Sequence, residues 1–339
     1  MSYKSDAVLR PWPGGDPPDE YFEQVAEEEK LQLDKMRAAT TYWKDAFRRF
    51  KKNKVAVIAA CVLFFIVLCA IVVPIVSPYS YDQQIRTETR QAPSLRHPLG
   101  TDMHGRDVLV RLMIGTRISL LVGFISTVMV LIIGATYGGF ATFFGGWTET
   151  IMMRIVDLIM AVPSLLVIIL ISVAMRAPLN HLIEQGGFWG QFSRIGAGLL
   201  SIFIVFALFY WTGMARTVRG ALVSVRSQEY VLAAQSMGAK PGRIIFRHMA
   251  PNGMGTIVVA ATSQVPDAIF TESFLSFIGL GVSAPMASLG SMASDALNGF
   301  ISYPYLLLFP AVVLALIILS LNLVGDGLRD ALDPRLRSK

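Results

Sequence analysis

The 339-residue chain is 53% hydrophobic and only 16% charged, with a mean hydropathy of +0.53. A soluble domain of this size needs more charge to cover its surface, so a bilayer is the expected solvent. The net charge of +6 and a pI near 9.4 do not point to nucleic acid. Lys and Arg cluster beside long apolar runs instead of forming one continuous stripe.

Residues 1–41 are polar and partly acidic (Glu20, Glu23, Glu27, Glu28, Glu29). A secretory signal would place a basic stretch and an apolar core there, so no cleavable signal is expected. The run RPWPGGDPPD is too rich in Pro and Gly for regular structure, and 1–41 reads as a partly disordered extension. Over 42–54, Trp43, Phe47 and Phe50 recur at helical spacing while Lys44, Arg48, Lys51 and Lys52 take other positions. The expectation is a basic amphipathic helix lying in the membrane surface, against the plainer reading of a solvated basic stop.

A bilayer core about 30 Å thick needs roughly 20 apolar residues as helix. Six runs meet or approach that demand: Val55–Val76, Ile118–Phe144, Ile155–Val173, Ile195–Gly213, Thr256–Leu280 and Tyr305–Val324. The fold class is therefore all-α, a polytopic membrane protein with six transmembrane helices occupying 55–325. Cys61 and Cys69 both fall in the first run, which excludes a disulfide framework or metal cage built on them. In the second run, Gly134 and Gly138 place small residues on one face and predict close helix packing. Gln264, Pro266, Asp267, Glu272 and Ser273 interrupt the fifth run, at a depth where polar atoms must face a bundle interior or a wet cavity. Basic residues are concentrated before the first run, between the second and third, between the fourth and fifth, and after the sixth. That bias predicts both termini in the cytoplasm. Arg86, Arg90, Arg96, Arg106, Arg111 and Arg117 run against it.

The polar stretch EYVLAAQSMGAKPGRIIFRHMAPN (Glu229 to Asn252) lies within the loop 216–255. It predicts one short helix over Glu229–Met237 with Gly238 as its C-terminal stop, and a second from Pro241 to His248 that Pro251 ends. Two small helices with a compact face suit docking into a partner's groove.

That stretch resembles the EAA loop of ABC importer permeases, in which a Glu, paired Ala, a following Gly and a later His-x-x-Pro mark the coupling element. The resemblance carries over Glu229, Ala233, Ala234, Gly238, His248 and Pro251 as positions for coupling to an ATPase, with Arg247 beside them. Tyr230 replaces the first Ala of the plain form, a variant similar to the peptide subgroup. HPLGTDMHGRDVLVRL (97–112), MMRIVDLIMAVPSLL (152–166), ESFLSFIGLGV (272–282) and NLVGDGLRDALDPRLR (322–337) each resemble segments of the oligopeptide and dipeptide permease family, in the right order. Together they span roughly Tyr42 to Lys339, and the pattern is more similar to the second of that family's two paired permeases. Leu289 stands where the family usually has Trp before the Gly of its S-W-G turn, and the loop 176–194 is longer than usual.

The resemblance implies the type I ABC importer fold in a bacterial cell membrane, and uptake of oligopeptides or dipeptides by alternating access. It implies a related permease, two cytoplasmic ATPase subunits that bind ATP and Mg, and an external peptide-binding protein. The same family also carries nickel chelates and other small solutes; an ion-coupled secondary transporter is the more distant alternative. No G-x-x-x-x-G-K-[ST] run occurs, so the energy is expected from a partner, with no cofactor, metal or catalytic group in this chain.

Several residues carry two readings. Asp267 and Glu272 either line the pathway or make helix-end hydrogen bonds and ion pairs. Pro163 and Pro266 are expected to kink their helices, for gating or simply for fit. Asp102, Arg106 and Asp107 either contact the external binding protein or balance one another and cap a short helix. Asp157 is expected to pair with Arg154 one turn away. Residues 326–339 read as a cytoplasmic tail.

Overall fold

The computed structural model describes residues 42–332. It divides into two compact units, Met1–Asp45 and Ala46–Lys339. Of the first only the opening residues of helix α1 (Tyr42–Lys52) are described, and the expectation for 1–41 lies outside the described residues. Within the second unit the Lys51 ammonium sits 4.7 Å from the centre of the exposed Phe47 ring, on the same helix.

Among the described residues the structure is helical with no strand, only an isolated bridge between Thr101 and Asp107. Helix α2 (Lys54–Val76) opens on Asn53, whose side chain accepts from the Ala56 amide at 3.2 Å. Helix α3 (Val108–Phe144) starts ten residues before the apolar run does, capped by Asp107. Its 37 residues reach about 55 Å, well beyond a bilayer core. Then come α4 (Gly146–Met160) and α5 (Ser164–Glu184). Helix α6 (Gly196–Val205) passes through a π-helical turn, Phe206–Tyr210, into α7 (Trp211–Arg226). The short α8 (Glu229–Ser236) precedes α9 (Ala250–Phe277), α10 (Leu289–Leu297) and α11 (Tyr305–Leu332).

Five helices are long and apolar enough to cross a membrane: α2, α3, α5, the continuous rod α6–α7 and α11. The remaining expected span, the fifth run, corresponds to α9, which is 28 residues long but too polar in its middle to meet the same composition. Its polar side chains are tolerable because α9 is the hub of the bundle, packed against α3, α7, α10 and α11. The outward faces are apolar: Phe64, Phe65, Leu166 and Leu170 leave 63–69% of their surfaces exposed, as lipid contact allows and water does not.

The third run departs from expectation. Helix α4 stops at Met160 and α5 begins at Ser164, so Ile155–Val173 is broken, not kinked, at Pro163. Proline has no N–H for the ladder, and its ring disfavours helical backbone at the residue before it. The span shifts downstream and absorbs Arg176–Glu184 from the stretch read as a loop; the remainder is a turn, Gly187–Gly190, and a 3₁₀ turn, Gln191–Arg194. Pro266, by contrast, is buried inside an unbroken α9. Helix α11 runs to Leu332, into the segment read as a tail; 333–339 lie outside the described residues.

Close helix contact occurs where the glycines predict it. A Cβ on Gly134 would lie 2.6 Å from that of Met214, and one on Gly138 would strike the Ala215 carbonyl, so these glycines let α3 meet the α7 backbone. Phe206, Ile202, Met214, Leu222 and Ile257 form the core there, continuous with Val231, Ile244 and Met249. A second cluster around Ile66, Leu112, Ile269, Leu289 and Ile317 holds α2, α3, α9, α10 and α11 together.

Candidate functional site

The segment 227–249 between α7 and α9 is built to present a surface. Helix α8 ends in a Schellman arrangement: Gly238 takes φ +74°, its N–H donates to the Gln235 carbonyl at 2.9 Å, and the Ala239 N–H donates to the Ala234 carbonyl at 3.1 Å. Val231 and Ala234 are buried against the rest of the bundle. Glu229, Tyr230, Ala233 and Met237 share the opposite, exposed face, with Met237 83% accessible. The paired alanines therefore have different jobs, Ala233 on the surface and Ala234 in the core. Arg247 and Pro251 are exposed and His248 is half-buried, its carbonyl accepting from the Asn252 amide at 2.7 Å.

The second helix of this segment is not separate. Only Pro241–Arg243 is α-helical before a π-helical turn, Ile244–Met249, which runs directly into α9. Pro251 sits in the first turn of α9 and ends nothing. It has no N–H for the preceding turn, and the widened π turn falls where the regular ladder would meet it.

Ion pairs brace this end. Glu149 of α4 accepts two hydrogen bonds from Arg219 of α7, both at 2.6 Å. Arg226, at the end of α7, donates to the Thr142 carbonyl at 2.9 Å and its guanidinium lies against Gly145, which takes φ +62°. Asp157 stands 4.0 Å from Arg154, its expected partner, but its closer contact is Arg216 of α7 at 2.5 Å.

A cavity of about 520 Å³ opens where two irregularities, the α4–α5 break at Ala161–Pro163–Ser164 and the π turn that ends at Tyr210, meet Gln264 of α9. Its volume falls within the range of ligand clefts, about 300–1,000 Å³. The Tyr210 hydroxyl is hydrogen-bonded to Thr271 at 2.7 Å. Pro163 lines this cavity and Pro266 does not. A π turn leaves no compositional trace, so sequence reasoning had no signal for Tyr210, Thr212 or Gly213.

The two acids of α9 part company. Glu272 is fully buried and accepts from Ser119 of α3 at 2.8 Å, Ser276 at 2.7 Å and Ser273 at 3.3 Å. Ser119 also takes the Leu289 amide at 3.4 Å, so this cluster locks α3 and α9 to the start of α10. Leu289 itself is buried, and Gly290 lies against the Ser273 backbone, where no side chain fits. Asp267 is exposed and its carboxylate makes no hydrogen bond or ion pair with any described residue.

In the segment 77–107, one group of ionisable side chains is turned inward, while Asp82, Arg86, Arg90 and Arg96 stay exposed. His97 is fully buried, with Asp107 at 2.8 Å from one ring nitrogen and Glu88 at 3.1 Å from the other. Asp107 also caps α3 through the Val110 amide at 2.9 Å. Asp102 pairs with Arg106 at 2.6 Å and Arg111 at 3.5 Å, and both arginines approach Asp295 of α10 at 3.6 Å. Arg106 and Asp107 are buried. The sequence reading missed His97, Arg111 and Asp295 as members, because their partners lie nine residues to most of the chain away with no period to betray them.

Comparison with known proteins places these features in context. Residues 130–338 match the family described as "Binding-protein-dependent transport system inner membrane component", and 41–93 match the "N-terminal TM domain of oligopeptide transport permease C". The oligopeptide transport system permease protein OppC of Bacillus subtilis (strain 168) is 44% identical over 301 residues, 89% of this chain and 92% of that protein. The dipeptide transport system permease protein DppC of the same organism is 42% identical over 321 residues, 94% of each. The glutathione transport system permease protein GsiD of Pectobacterium atrosepticum is 34% identical over 303 residues, 89% of this chain and 94% of that protein.

Proposed function

We propose a working mechanism on one premise: this chain belongs to the family of binding-protein-dependent transport permeases, in its oligopeptide and dipeptide branch. It is one of two related permease subunits in an importer of oligopeptides or dipeptides. An external binding protein delivers the peptide, and two cytoplasmic ATPases supply the energy, binding ATP and Mg between them. No covalent chemistry takes place in this chain. Both termini face the cytoplasm, as does the 227–249 segment, and α1 lies in the headgroup layer with its cations toward anionic lipid.

The observation that carries this reading is continuity. The exposed face of Glu229, Tyr230, Ala233 and Met237 sits on a segment joined at one side to α7 and at the other to α9. Tyr210, immediately before α7, and Gln264 of α9 line the cavity. The third wall, at Pro163, follows α4, which Glu149 and Asp157 tie to α7. A push on α8 by a closing ATPase therefore moves all three walls of the cavity, which is what alternating access requires.

The test is uptake by vesicles holding the complete complex. ATP-dependent peptide accumulation is expected with the native chain and is expected to fall at least tenfold for Glu229→Ala, with the assembled subunits present in equal amount. Undiminished accumulation by that variant would count against coupling through α8.

A further inference from the structure

Asp267 poses a problem that the rest of α9 does not. It lies ten residues before the helix end at Phe277, about 15 Å along the axis, and so well inside a span. A carboxylate at that depth is expensive unless it meets water or a cation. Lipid offers neither, and no described residue pairs with it. Glu272, five residues on, shows how this bundle treats an acid it means to bury: three serines close around it.

The surroundings of Asp267 differ in kind. Gln264, Asp267 and Thr271 fall at i, i+3 and i+7 and share one face of α9. Gln264 lines the 520 Å³ cavity, and Thr271 holds the hydroxyl of Tyr210, which lines it too. Asp267 thus stands between two residues anchored to the cavity wall. The side chains of Ser164 and Gln264, like that of Asp267, make no hydrogen bond with any described residue. The result is an uncommitted amide and hydroxyl on the cavity wall, with an uncommitted carboxylate one turn further along the face of α9 that carries the amide.

We propose that Asp267 and Gln264 form a subsite for a peptide in transit, with Asp267 receiving the free ammonium group and Gln264 and Ser164 the adjoining amide. This rests on the transport reading above and adds the polarity of the passage: the wall contributed by this subunit accepts the cationic end of its cargo. A single charge pair in a wet cavity is weak, as a passage that must release its cargo requires. An ion pair to the second permease is the competing use of the same carboxylate, and the uncommitted amide and hydroxyl beside it favour a ligand with peptide groups.

The experiment uses the complete complex in proteoliposomes and compares tri-alanine with its N-acetyl derivative. Asp267→Asn is expected to slow tri-alanine uptake roughly five- to tenfold and to change uptake of the acetyl peptide less than about twofold, while Asp267→Glu transports both near the native rate. The binding-protein step is common to all variants and cancels in each variant-to-native ratio. If the acetyl peptide does not enter even with the native chain, tri-alanine rates ordered native and Asp267→Glu, then Asp267→Asn, then Asp267→Lys support the proposal. Equal rates for Asp267→Asn and Asp267→Glu overturn it. So does an equal loss for both peptides, or dissociation of the second permease from Asp267→Asn complexes alone. Native vesicles that accumulate no peptide at all would refute the transport reading itself, a separate failure.

Discussion

The segments 77–107 and 227–249 are both polar stretches between spans, and they handle charge in opposite ways. In the first, His97, Arg106 and Asp107 are each at most 4% exposed and, with Arg111 of α3, face ionisable side chains within 3.6 Å, while Asp82, Arg86, Arg90 and Arg96 stay on the surface. In the second, Glu229, Lys240, Arg243 and Arg247 point outward and form no ion pair with described residues. Similar composition thus serves two purposes. The charges closed on one another act as a structural clasp, and those left open leave a surface that the proposed coupling role would use.

This contrast can be sharpened by substitution, read as thermal unfolding of the purified complex. The largest loss is expected for Asp107→Ala, which strips the cap from α3 and leaves one nitrogen of the buried His97 ring unpaired, with Glu88 remaining at the other. Together these are worth about 2–4 kcal/mol. Ala234→Leu should follow, at about 1–3 kcal/mol, because it forces bulk into the packed underside of α8. Glu149→Gln, which weakens a half-open pair to Arg219, should cost no more than about 1 kcal/mol yet depress transport, since it loosens the brace between α4 and α7. Arg96→Ala, on an exposed side chain paired with Glu88, should leave the unfolding temperature unchanged. Equal losses for Asp107→Ala and Arg96→Ala would erase the distinction between buried clasp and surface charge.

The spans were legible because a bilayer leaves the chain few choices: the first, second, fourth and sixth runs all lie within long apolar helices. The third was misplaced because a hydropathy window passes over Pro163, whereas the backbone cannot. Gly238 was readable as a stop, since its positive φ is a position that glycine fills best. Ala233 and Ala234 were readable as a pair but not as opposites, because which side of α8 faces the bundle is settled by Val231, Ile244 and Met249. The serine cluster around Glu272 joins residues 153 positions apart, beyond any local pattern.

The central claim is that α8 is the seat of an ATPase. It is tested most directly by placing a single cysteine at Ala233 in a chain with Cys61 and Cys69 replaced, and treating assembled complexes with a short bifunctional thiol reagent. The account predicts a covalent product between this subunit and an ATPase subunit bearing a groove cysteine, formed at a rate that changes when ATP binds. A cysteine at Ala233 that instead reacts freely with membrane-impermeant reagents added outside intact cells, and forms no such product, would contradict it.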